Sequence, residues 1–348
     1  MLFHHPMSVS QDHLKIQTEF SYVSMCLMKI LFITSTRIGD AVLSTGLLDY
    51  LVRVHPEARV TVVCGSSAAP LFSAMPSLEQ IIAVTKGRYA SHWIPLWAHC
   101  IRTRWDIVVD LRRSVLPWLL LAGKRHRLGS NRMLVHRVRQ IADVLALPVP
   151  PAPRLWITAR HHQAADRLLP SQGPPVLGIG PTANWHAKIW RVTNFVALID
   201  RLTGKDGILP AARVAVFGAH DERDNIQPIL EYLTSDRCID LVGTVDLLTA
   251  YACLQRCVFY IGNDSGLMHL AAAANIPTLG LFGPSQDRHY APWGQKGAVV
   301  RAVVPSLRAL RSKDGRTSSD TLMDSLTVEM AETAARRLWA ESQDGKQQ

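Results

Sequence analysis

The sequence predicts an α/β protein in which two doubly wound domains face each other across a cleft. Short, nearly continuous apolar runs alternate with longer amphipathic segments, as expected for parallel strands covered by helices on both faces. The alternation breaks once, at Leu147–Pro153, where four prolines in seven residues predict a stiff, extended connector. The chain has 348 residues, 48% hydrophobic and 19% charged, and is therefore long enough for two cores.

In the first half, a predicted helix follows the first predicted strand. Asp40–His55 is that helix because its apolar residues recur on one face, and Pro56 is a common stop signal. The predicted strands of this half are Lys29–Thr34, Val60–Cys64, Ile81–Val84 and Ile107–Leu111.

The same alternation restarts after the prolines. The predicted strands are Val176–Ile179, Val214–Phe217, Val258–Ile261 and Thr278–Phe282, and the predicted helices are Val192–Leu202, Asp221–Thr234, Ser265–Ala274 and a closing helix at Val328–Leu338. Ser306–Thr321 is polar and is a predicted loop. Ligands of such sheets bind at the carboxyl ends of the strands, so the cleft between the domains is the predicted binding region.

This pattern divides the chain into five parts. They are an N-terminal extension (1–27), a first doubly wound domain (28–147), a proline-rich linker (148–156), a second doubly wound domain (157–325), and a closing helix and tail (326–348). Residues 1–27 lack helical or strand periodicity and the features of a secretory signal. We expect a loose extension or an over-long start assignment there.

The positive charge is concentrated in the first domain. The formal net charge is +10, and residues 28–150 contain sixteen Lys and Arg against seven Asp and Glu. Ten of those sixteen lie between Arg102 and Arg139. This asymmetry favours an anionic partner, such as a phosphorylated substrate, an anionic membrane face or nucleic acid, over a merely soluble basic surface. Nucleic acid is the weaker candidate, because aromatic residues are not interleaved among these charges as a stacking platform requires.

Other residue patterns exclude several classes of protein. The six cysteines show no metal-ligand spacing and are interpreted as reduced core residues of a cytoplasmic protein. No apolar run approaches the roughly 18–20 residues of a membrane-spanning helix; Val115–Ala122 is among the longest and contains Pro117. The absence of a Gly-x-Gly-x-x-Gly fingerprint and of a P-loop disfavours a dinucleotide oxidoreductase and a P-loop NTPase.

The turn Gly262–Leu267 carries the strongest functional signal. It lies between a predicted buried strand and a predicted helix, whose free amides and dipole would form an anion site. Ser265 and Gly266 have small side chains and would let a phosphate approach the backbone closely. Simple helix capping by Asp264 or Ser265 is the alternative interpretation.

Three further polar turns follow predicted strands. Asp40 could serve as a general base in the cleft or merely cap its helix. Lys188 lies between tryptophans in a loop, where it could reach a diphosphate or remain a surface lysine. Glu222 could hold ribose hydroxyls or cap the following helix.

Together these segments resemble glycosyltransferase family 9, the ADP-heptose:lipopolysaccharide heptosyltransferases, in order from Met28 to Leu338. The motifs that carry the resemblance are Ile38–Thr45, Ala187–Trp190, Phe217–Glu222, Gly262–Leu270 and Phe282–Ser285. Two departures are a cysteine-free Val304–Leu310, where many members have a cysteine, and Ile189, where arginine is frequent.

The resemblance implies the GT-B arrangement, with the acceptor on the first domain and the nucleotide sugar on the second. It implies Asp40 as the base and Lys188 as a contact to the donor phosphates. His269 would either lie near the sugar or only pack. The implied donor-binding residues are Thr182, Lys188, Glu222, Asp264, Ser265, Gly266, Leu267 and His269, and the implied acceptor-binding residues are Arg37, Arg112 and Arg113.

The expected function is an inverting transfer of heptose from ADP-heptose to an anionic lipopolysaccharide-core acceptor, with no metal and no cofactor. We expect a cytoplasmic protein, peripheral on the inner membrane, with no nucleic-acid partner. The alternatives are a related transferase using another nucleotide sugar for surface polysaccharide, and a non-catalytic nucleotide-sugar-binding protein. A hydrolysing sugar epimerase is less favoured, since its pattern of carboxylates and a histidine is not evident.

Overall fold

A computed structural model describes residues 27–85, 93–129, 134–303 and 321–344. The first half of this structure is a five-stranded parallel sheet in the order β3-β2-β1-β4-β5. Its strands are β1 (Lys29–Ile33), β2 (Arg59–Gly65), β3 (Leu78–Val84), β4 (Trp105–Asp110) and β5 (Ala122–Arg127). Its helices are α1 (Ile38–Val54), α2 (Trp93–Cys100) and α3 (Arg137–Ala142).

The second half is a six-stranded parallel sheet in the order β11-β10-β9-β6-β7-β8. Its strands are β6 (Val176–Gly180), β7 (Arg213–Val216), β8 (Cys238–Asp240), β9 (Phe259–Asn263), β10 (Thr278–Phe282) and β11 (Gly297–Arg301). Its helices are α4 (Ala159–Leu168), α5 (Val192–Thr203), α6 (Arg223–Tyr232), α7 (Leu247–Leu254), α8 (Gly266–Ala273), α9 (Asp287–Tyr290) and α10 (Val328–Asp344). The predicted fold of two doubly wound α/β units is therefore confirmed.

The central strands are apolar because helices cover both of their faces. β1, β9 and β10 are buried over nearly their whole length, and their side chains belong to the clusters that form the cores. Among the described residues, no helix is long and apolar enough to cross a bilayer.

Each sheet reverses its strand order at one point. In the first sheet the reversal lies between β1 and β4, where Ile33 is beside Asp110. In the second it lies between β6 and β9, where Gly180 is beside Gly262. Ligands of open α/β sheets bind outside the carboxyl ends of the strands at such reversals. A ligand site is therefore expected at the loops that follow β1, β4, β6 and β9.

The predicted strands and helices are found, most within two residues of the predicted bounds, with two corrections. β3 begins at Leu78 rather than Ile81, and the closing helix ends at Asp344 rather than Leu338. The predicted helix Asp221–Thr234 is found as α6, two residues shorter at each end and preceded by the 3₁₀ turn His220–Glu222. Elements that were not predicted are β5, β8, β11, α2, α3, α4, α7 and α9.

The predicted domain division stays a prediction. Within the proposed linker, the amide of Arg154 donates to the Thr45 hydroxyl at 3.0 Å, which ties this segment to α1. Residues 1–26 and 304–320, with the predicted extension and most of the predicted polar loop, lie outside the described residues.

The described cysteines have free thiols, as predicted. Burial raises the pKa of the Cys64 thiol to about 12 and that of Cys100 to about 11, so neither forms a reactive thiolate at neutral pH. Cys26 lies outside the described residues.

Candidate active site

The first turns of α1 and α8 meet face to face. A Cβ added at Gly266 would lie 2.9 Å from Cγ2 of Ile38, and one added at Gly39 would lie 2.8 Å from Cδ2 of His269. Only glycine allows this approach, because a methyl group at either position would collide with the facing helix. Two helix N-termini, each the positive end of its dipole, therefore converge on one region between the sheets.

A buried ion pair lies at the start of α8. The Lys188 ammonium donates to Oδ2 of Asp264 at 2.5 Å, and only 6% of the Asp264 side chain is exposed. Asp264 directly follows β9, and Lys188 lies in a 3₁₀ turn, His186–Lys188, beyond the end of β6. The structure thus brings together two residues that are 76 positions apart in the sequence, and Lys188 is not the isolated surface lysine of the alternative interpretation.

Two polar atoms around the first turn of α8 lack a hydrogen-bond partner among the described residues. They are Oγ of Ser265 and Nδ1 of His269, both shielded from solvent. Ser265 occupies the N-cap position of α8, yet its hydroxyl makes no capping hydrogen bond, so the capping interpretation is wrong for this side chain. The neighbouring Tyr260 hydroxyl is likewise buried without a partner; burial raises the pKa of this phenol, and the Ser265 hydroxyl acts to lower it. Unsatisfied buried polar atoms are costly, which points to a polar ligand at this position.

Asn263 fixes the loop that carries Lys188, and sequence reasoning did not select it as a site residue. Its side chain is fully buried, accepts from the Trp190 amide at 3.1 Å and donates to the Pro181 carbonyl at 2.7 Å. The segment after residue 320 supports the same loop, since the Leu322 amide donates to the Ala187 carbonyl at 3.1 Å. These bonds hold Lys188 against the end of β9.

We expect Asn263→Ala to lower the free energy of unfolding by about 2–3 kcal/mol, because it leaves a buried amide and a buried carbonyl without partners. Urea unfolding measures this change. Asn225→Ala is the matched control, because Asn225 is exposed on α6. Equal stability of the two variants would contradict the role assigned to Asn263.

Glu222 caps its own turn and also contacts Thr182. Its Oε2 accepts from the Ala219 amide at 2.8 Å and from the Thr182 hydroxyl at 2.8 Å. Glu222 therefore caps the 3₁₀ turn His220–Glu222, but its side chain makes no capping hydrogen bond to α6, the helix that follows. The bond to Thr182 also joins the ends of β6 and β7, beside the loop that carries Lys188.

Asp40 lies in the first turn of α1, inside the helix rather than at its N-cap, which is Arg37. The capping interpretation of Asp40 is thus wrong. Its carboxylate lies 3.9 Å from Nε of Arg137, and about a fifth of its side chain is exposed. The positive end of α1 and the nearby guanidinium both stabilise a negative charge here. The site therefore presents the Asp40 carboxylate, in the first turn of α1, to the start of α8.

His269 packs between the two carboxylates. Burial lowers its pKa from the usual 6.5 to about 4, although Asp264 and Asp40 both act to raise it. Its ring lies 6.4 Å, centroid to centroid, from that of Tyr290. Burial and Asp40 together raise the pKa of Tyr290, so this phenol lies in the same cluster. At neutral pH the imidazole is uncharged.

The depressed pKa of His269 makes stability depend on pH. Between pH 6.5 and 4 the unfolded chain binds a proton at this residue that the folded protein does not, so stability falls as the pH falls. The contribution is fully present above pH 6.5, and about 3 kcal/mol of it is lost by pH 4. We expect His269→Phe to reduce the fall in the free energy of unfolding that is measured between pH 6.5 and pH 4. His162→Phe, at an exposed histidine, is the control and should leave the slope unchanged.

The three predicted acceptor residues lie at the carboxyl edge of the first sheet. Arg37 precedes α1, and Arg112 and Arg113 follow β4. The Asp110 carboxylate fixes the latter loop, accepting from the Arg112 amide at 2.7 Å and from the Ser114 amide at 2.6 Å. The Arg112 guanidinium lies 5.0 Å from the ring centre of Trp93. These positions leave the assignment to the acceptor a prediction.

In the described part of the chain, no group of three or more His, Cys, Asp and Glu side chains is arranged to hold a metal ion. The expectation of a metal-free reaction stays a prediction.

Comparison with known proteins gives the family. The profile described as glycosyltransferase family 9 (heptosyltransferase) matches residues 89–315, about two thirds of the chain. The chain belongs to glycosyltransferase family 9. It is 25% identical, over 87% of its length and 97% of the relative's, to lipooligosaccharide heptosyltransferase 2 of Haemophilus influenzae. It is 27% identical to lipopolysaccharide heptosyltransferase 2 of Escherichia coli, over 80% of its length and 89% of the relative's.

Solved structures agree on the GT-B fold of this family 9 glycosyltransferase. A family 9 glycosyltransferase from Veillonella parvula superposes with a TM-score of 0.74 at 21% identity, over 90% of this chain and 98% of that one. The ADP-heptose lipopolysaccharide heptosyltransferase II of Escherichia coli gives 0.69 at 23% identity, over 91% and 100%.

Sequence reasoning missed several residues of this family 9 site. Besides Asn263 they are Arg137, beside Asp40, and Tyr290, beside His269. Arg137 was one of ten cations in a basic segment, and no local signal separated it from the others. Asn263 precedes Asp264 in the motif Gly262–Leu270, so the sequence indicated that it lies near the site. The sequence did not indicate its hydrogen bonds.

Proposed function

We propose that this glycosyltransferase moves a heptose from ADP-heptose to a sugar hydroxyl of a lipopolysaccharide core, with inversion and without a metal ion. The observation that carries the proposal is the Lys188–Asp264 pair at the start of α8, facing Asp40 where α1 and α8 meet. The relatives from Haemophilus influenzae and Escherichia coli, which are named as heptosyltransferases of lipooligosaccharide and lipopolysaccharide, support the choice of sugar and acceptor.

In this mechanism Asp40 acts as the general base. Its carboxylate accepts the proton of the acceptor hydroxyl while that oxygen bonds to the anomeric carbon of the donor sugar. The bond from the anomeric carbon to the diphosphate breaks on the opposite face, so the configuration inverts and ADP leaves. Asp40 belongs to α1 of the first half and the proposed donor site to the second half, which supports an approach of the acceptor from the side opposite the leaving group.

Lys188 and the first turn of α8 stabilise the leaving group. Negative charge develops on the diphosphate, and the amides of residues 265–267 and the ammonium of Lys188 are positioned to receive it. Lys188 thereby supplies the positive charge that a divalent cation supplies in other transferases. We therefore expect turnover to be unchanged by EDTA. The Ser265 hydroxyl and Nδ1 of His269, which lack partners in the described residues, are available to the sugar or the phosphates.

The basic first half would receive the anionic acceptor. A lipopolysaccharide core carries carboxylates and phosphates at a membrane face, and Arg37, Arg112 and Arg113 lie at the sheet edge that leads to Asp40. We place the protein in the cytoplasm, peripheral on the inner membrane and without a nucleic-acid partner. Added salt should weaken this attachment.

A thermal-shift panel with ADP, GDP, UDP, CDP and dTDP, in EDTA, tests the donor. A ligand at a hundred times its Kd adds about 2.7 kcal/mol to stability, which is visible as a rise in Tm. We expect selective stabilisation by ADP. Selective stabilisation by another nucleotide would instead indicate a transferase with a different sugar donor, and no stabilisation by any of the five would contradict the proposed donor site.

A further inference from the structure

Six large apolar side chains are exposed together on the first half of the protein. We call them the apolar platform: Ile94, Trp97, Val115, Trp118, Leu119 and Leu121. Their exposed fractions range from 37% for Trp97 to 69% for Ile94 and Trp118. Single exposed apolar residues are ordinary, but a contiguous group marks a surface that meets another apolar phase.

The platform is fixed by the fold. It is formed by α2 and by the segment Val115–Leu121, which contains a 3₁₀ turn at Leu116–Leu119. Nε1 of Trp97 joins the two by donating to the Leu119 carbonyl at 3.2 Å. Leu116 and Leu120 are buried beneath it, in a core cluster with Leu96. The exposed tryptophan and leucines are therefore held outward by neighbours in the sequence that face inward.

Cations border the platform closely. The Arg125 guanidinium donates to the Pro117 carbonyl at 2.8 Å and to the Leu120 carbonyl at 2.9 Å. The Leu121 carbonyl accepts a hydrogen bond from the Trp105 amide at 2.8 Å. Arg104, which precedes Trp105, therefore lies beside Leu121. Residues 93–129 contain seven Lys and Arg, and in the described part of the chain none of the seven forms an ion pair.

The negative charge in this region is already engaged. The two acidic residues of the segment are Asp106 and Asp110. Asp106 accepts from the Lys29 amide at 2.7 Å, and Asp110 is buried and accepts from the loop that follows it. The surface thus combines exposed tryptophan and aliphatic side chains with uncompensated positive charge.

We propose that the apolar platform is a membrane-docking surface, which inserts Trp118, Leu119 and Leu121 into the headgroup region of a bilayer rich in anionic lipid. Tryptophan and leucine beside Lys and Arg are the composition that interfacial binding uses, because apolar burial and attraction to anionic headgroups act together. A second copy of the chain fits poorly, since a two-fold contact through the platform would bring Arg104 and Arg125 of one copy towards those of the other.

The platform is linked to the proposed acceptor side of the site. The Arg112 guanidinium lies over the ring of Trp93, at the start of α2. Arg112 follows β4, and β4 pairs with β1, the strand that precedes the helix of Asp40. Docking there would bring this edge of the sheet towards an acceptor anchored in the bilayer. The benefit of docking for the reaction rests on the proposed function. Binding of the protein to a bilayer is nevertheless measured without donor or acceptor.

Vesicle flotation tests the proposal. The wild-type chain should float with vesicles of phosphatidylglycerol and phosphatidylcholine, and not with phosphatidylcholine alone. Trp118→Ser/Leu119→Ser/Leu121→Ser should lower the partition coefficient at least about tenfold. Arg104→Ser/Lys124→Ser should also lower it about tenfold, and high salt should reproduce that loss in the wild type.

The matched control is Val54→Ser/Val149→Ser/Val303→Ser, which removes three exposed apolar side chains elsewhere and should float like the wild type. Melting curves, with and without ADP, check that all variants fold and keep the nucleotide site. Platform variants that float like the wild type would overturn the proposal. So would a wild type that ignores vesicles and forms a dimer abolished by the triple variant. Loss of flotation with an unchanged ADP response separates this proposal from the proposed function.

Discussion

Replacing Asp40 by asparagine should lower kcat about a thousandfold while affinity for ADP stays nearly unchanged. Removal of a positioned general base typically costs between a hundredfold and ten-thousandfold, and an asparagine keeps the size but cannot accept the proton. Affinity for ADP should persist because Asp40 lies in α1 of the first half, whereas Lys188 and the start of α8 belong to the second half. Steady-state turnover and ADP titration measure the two effects separately.

Asp49→Asn is the matched control for this prediction. Asp49 lies on the same helix and is also paired with an arginine, Arg53, at 2.8 Å. It should retain turnover within about twofold, since Asp49 lies nine residues farther along α1 than Asp40 and loses only its pair with Arg53, whose side chain is 61% exposed. A small effect of Asp40→Asn, comparable with that of Asp49→Asn, would rule out Asp40 as the base.

Replacing Lys188 by alanine should lower turnover at least about a hundredfold. One aligned positive donor to a developing charge contributes about 3–4 kcal/mol of transition-state stabilisation. The variant also leaves the buried Asp264 carboxylate without its cation, so the protein should lose up to about 3 kcal/mol of stability. Turnover must therefore be measured well below the melting temperature of the variant.

The double variant Lys188→Ala/Asp264→Asn separates these two effects. It removes the uncompensated charge and should recover most of the stability, while turnover stays low. Lys205→Ala, at an exposed lysine of the same half, is the control and should behave like the wild type. Near-normal turnover of Lys188→Ala would contradict the assigned role.

The sequence predicted the central strands and also the turns at their carboxyl ends, from which the site is built. Thr278–Phe282 was predicted with the observed bounds because a buried parallel strand is almost continuously apolar. Lys188 and Asp264 were selected separately from two motifs, and the ion pair between them followed from the order of β6 and β9 in the sheet.

Two of the edge strands, β5 and β8, escaped prediction for a physical reason. β5 is Ala-Gly-Lys-Arg-His-Arg and β8 has three residues, so neither shows the apolar run of a covered strand. The basic segment was interpreted as charge alone. Trp97 and Trp118 lie within or beside it in sequence, but only the structure shows that they are exposed together. The bonds of Asn263 likewise depend on three loops meeting, which no local pattern records.

The most direct test of the account is the product of a single reaction. Purified protein is incubated in EDTA with ADP-heptose and a water-soluble, heptose-free core oligosaccharide, and the new glycosidic bond is assigned by NMR. The proposed mechanism predicts one ADP released for each heptose transferred, with the anomeric configuration opposite to that of the donor. Transfer with retained configuration, transfer that requires a divalent metal, or no transfer by a protein that binds ADP would contradict it.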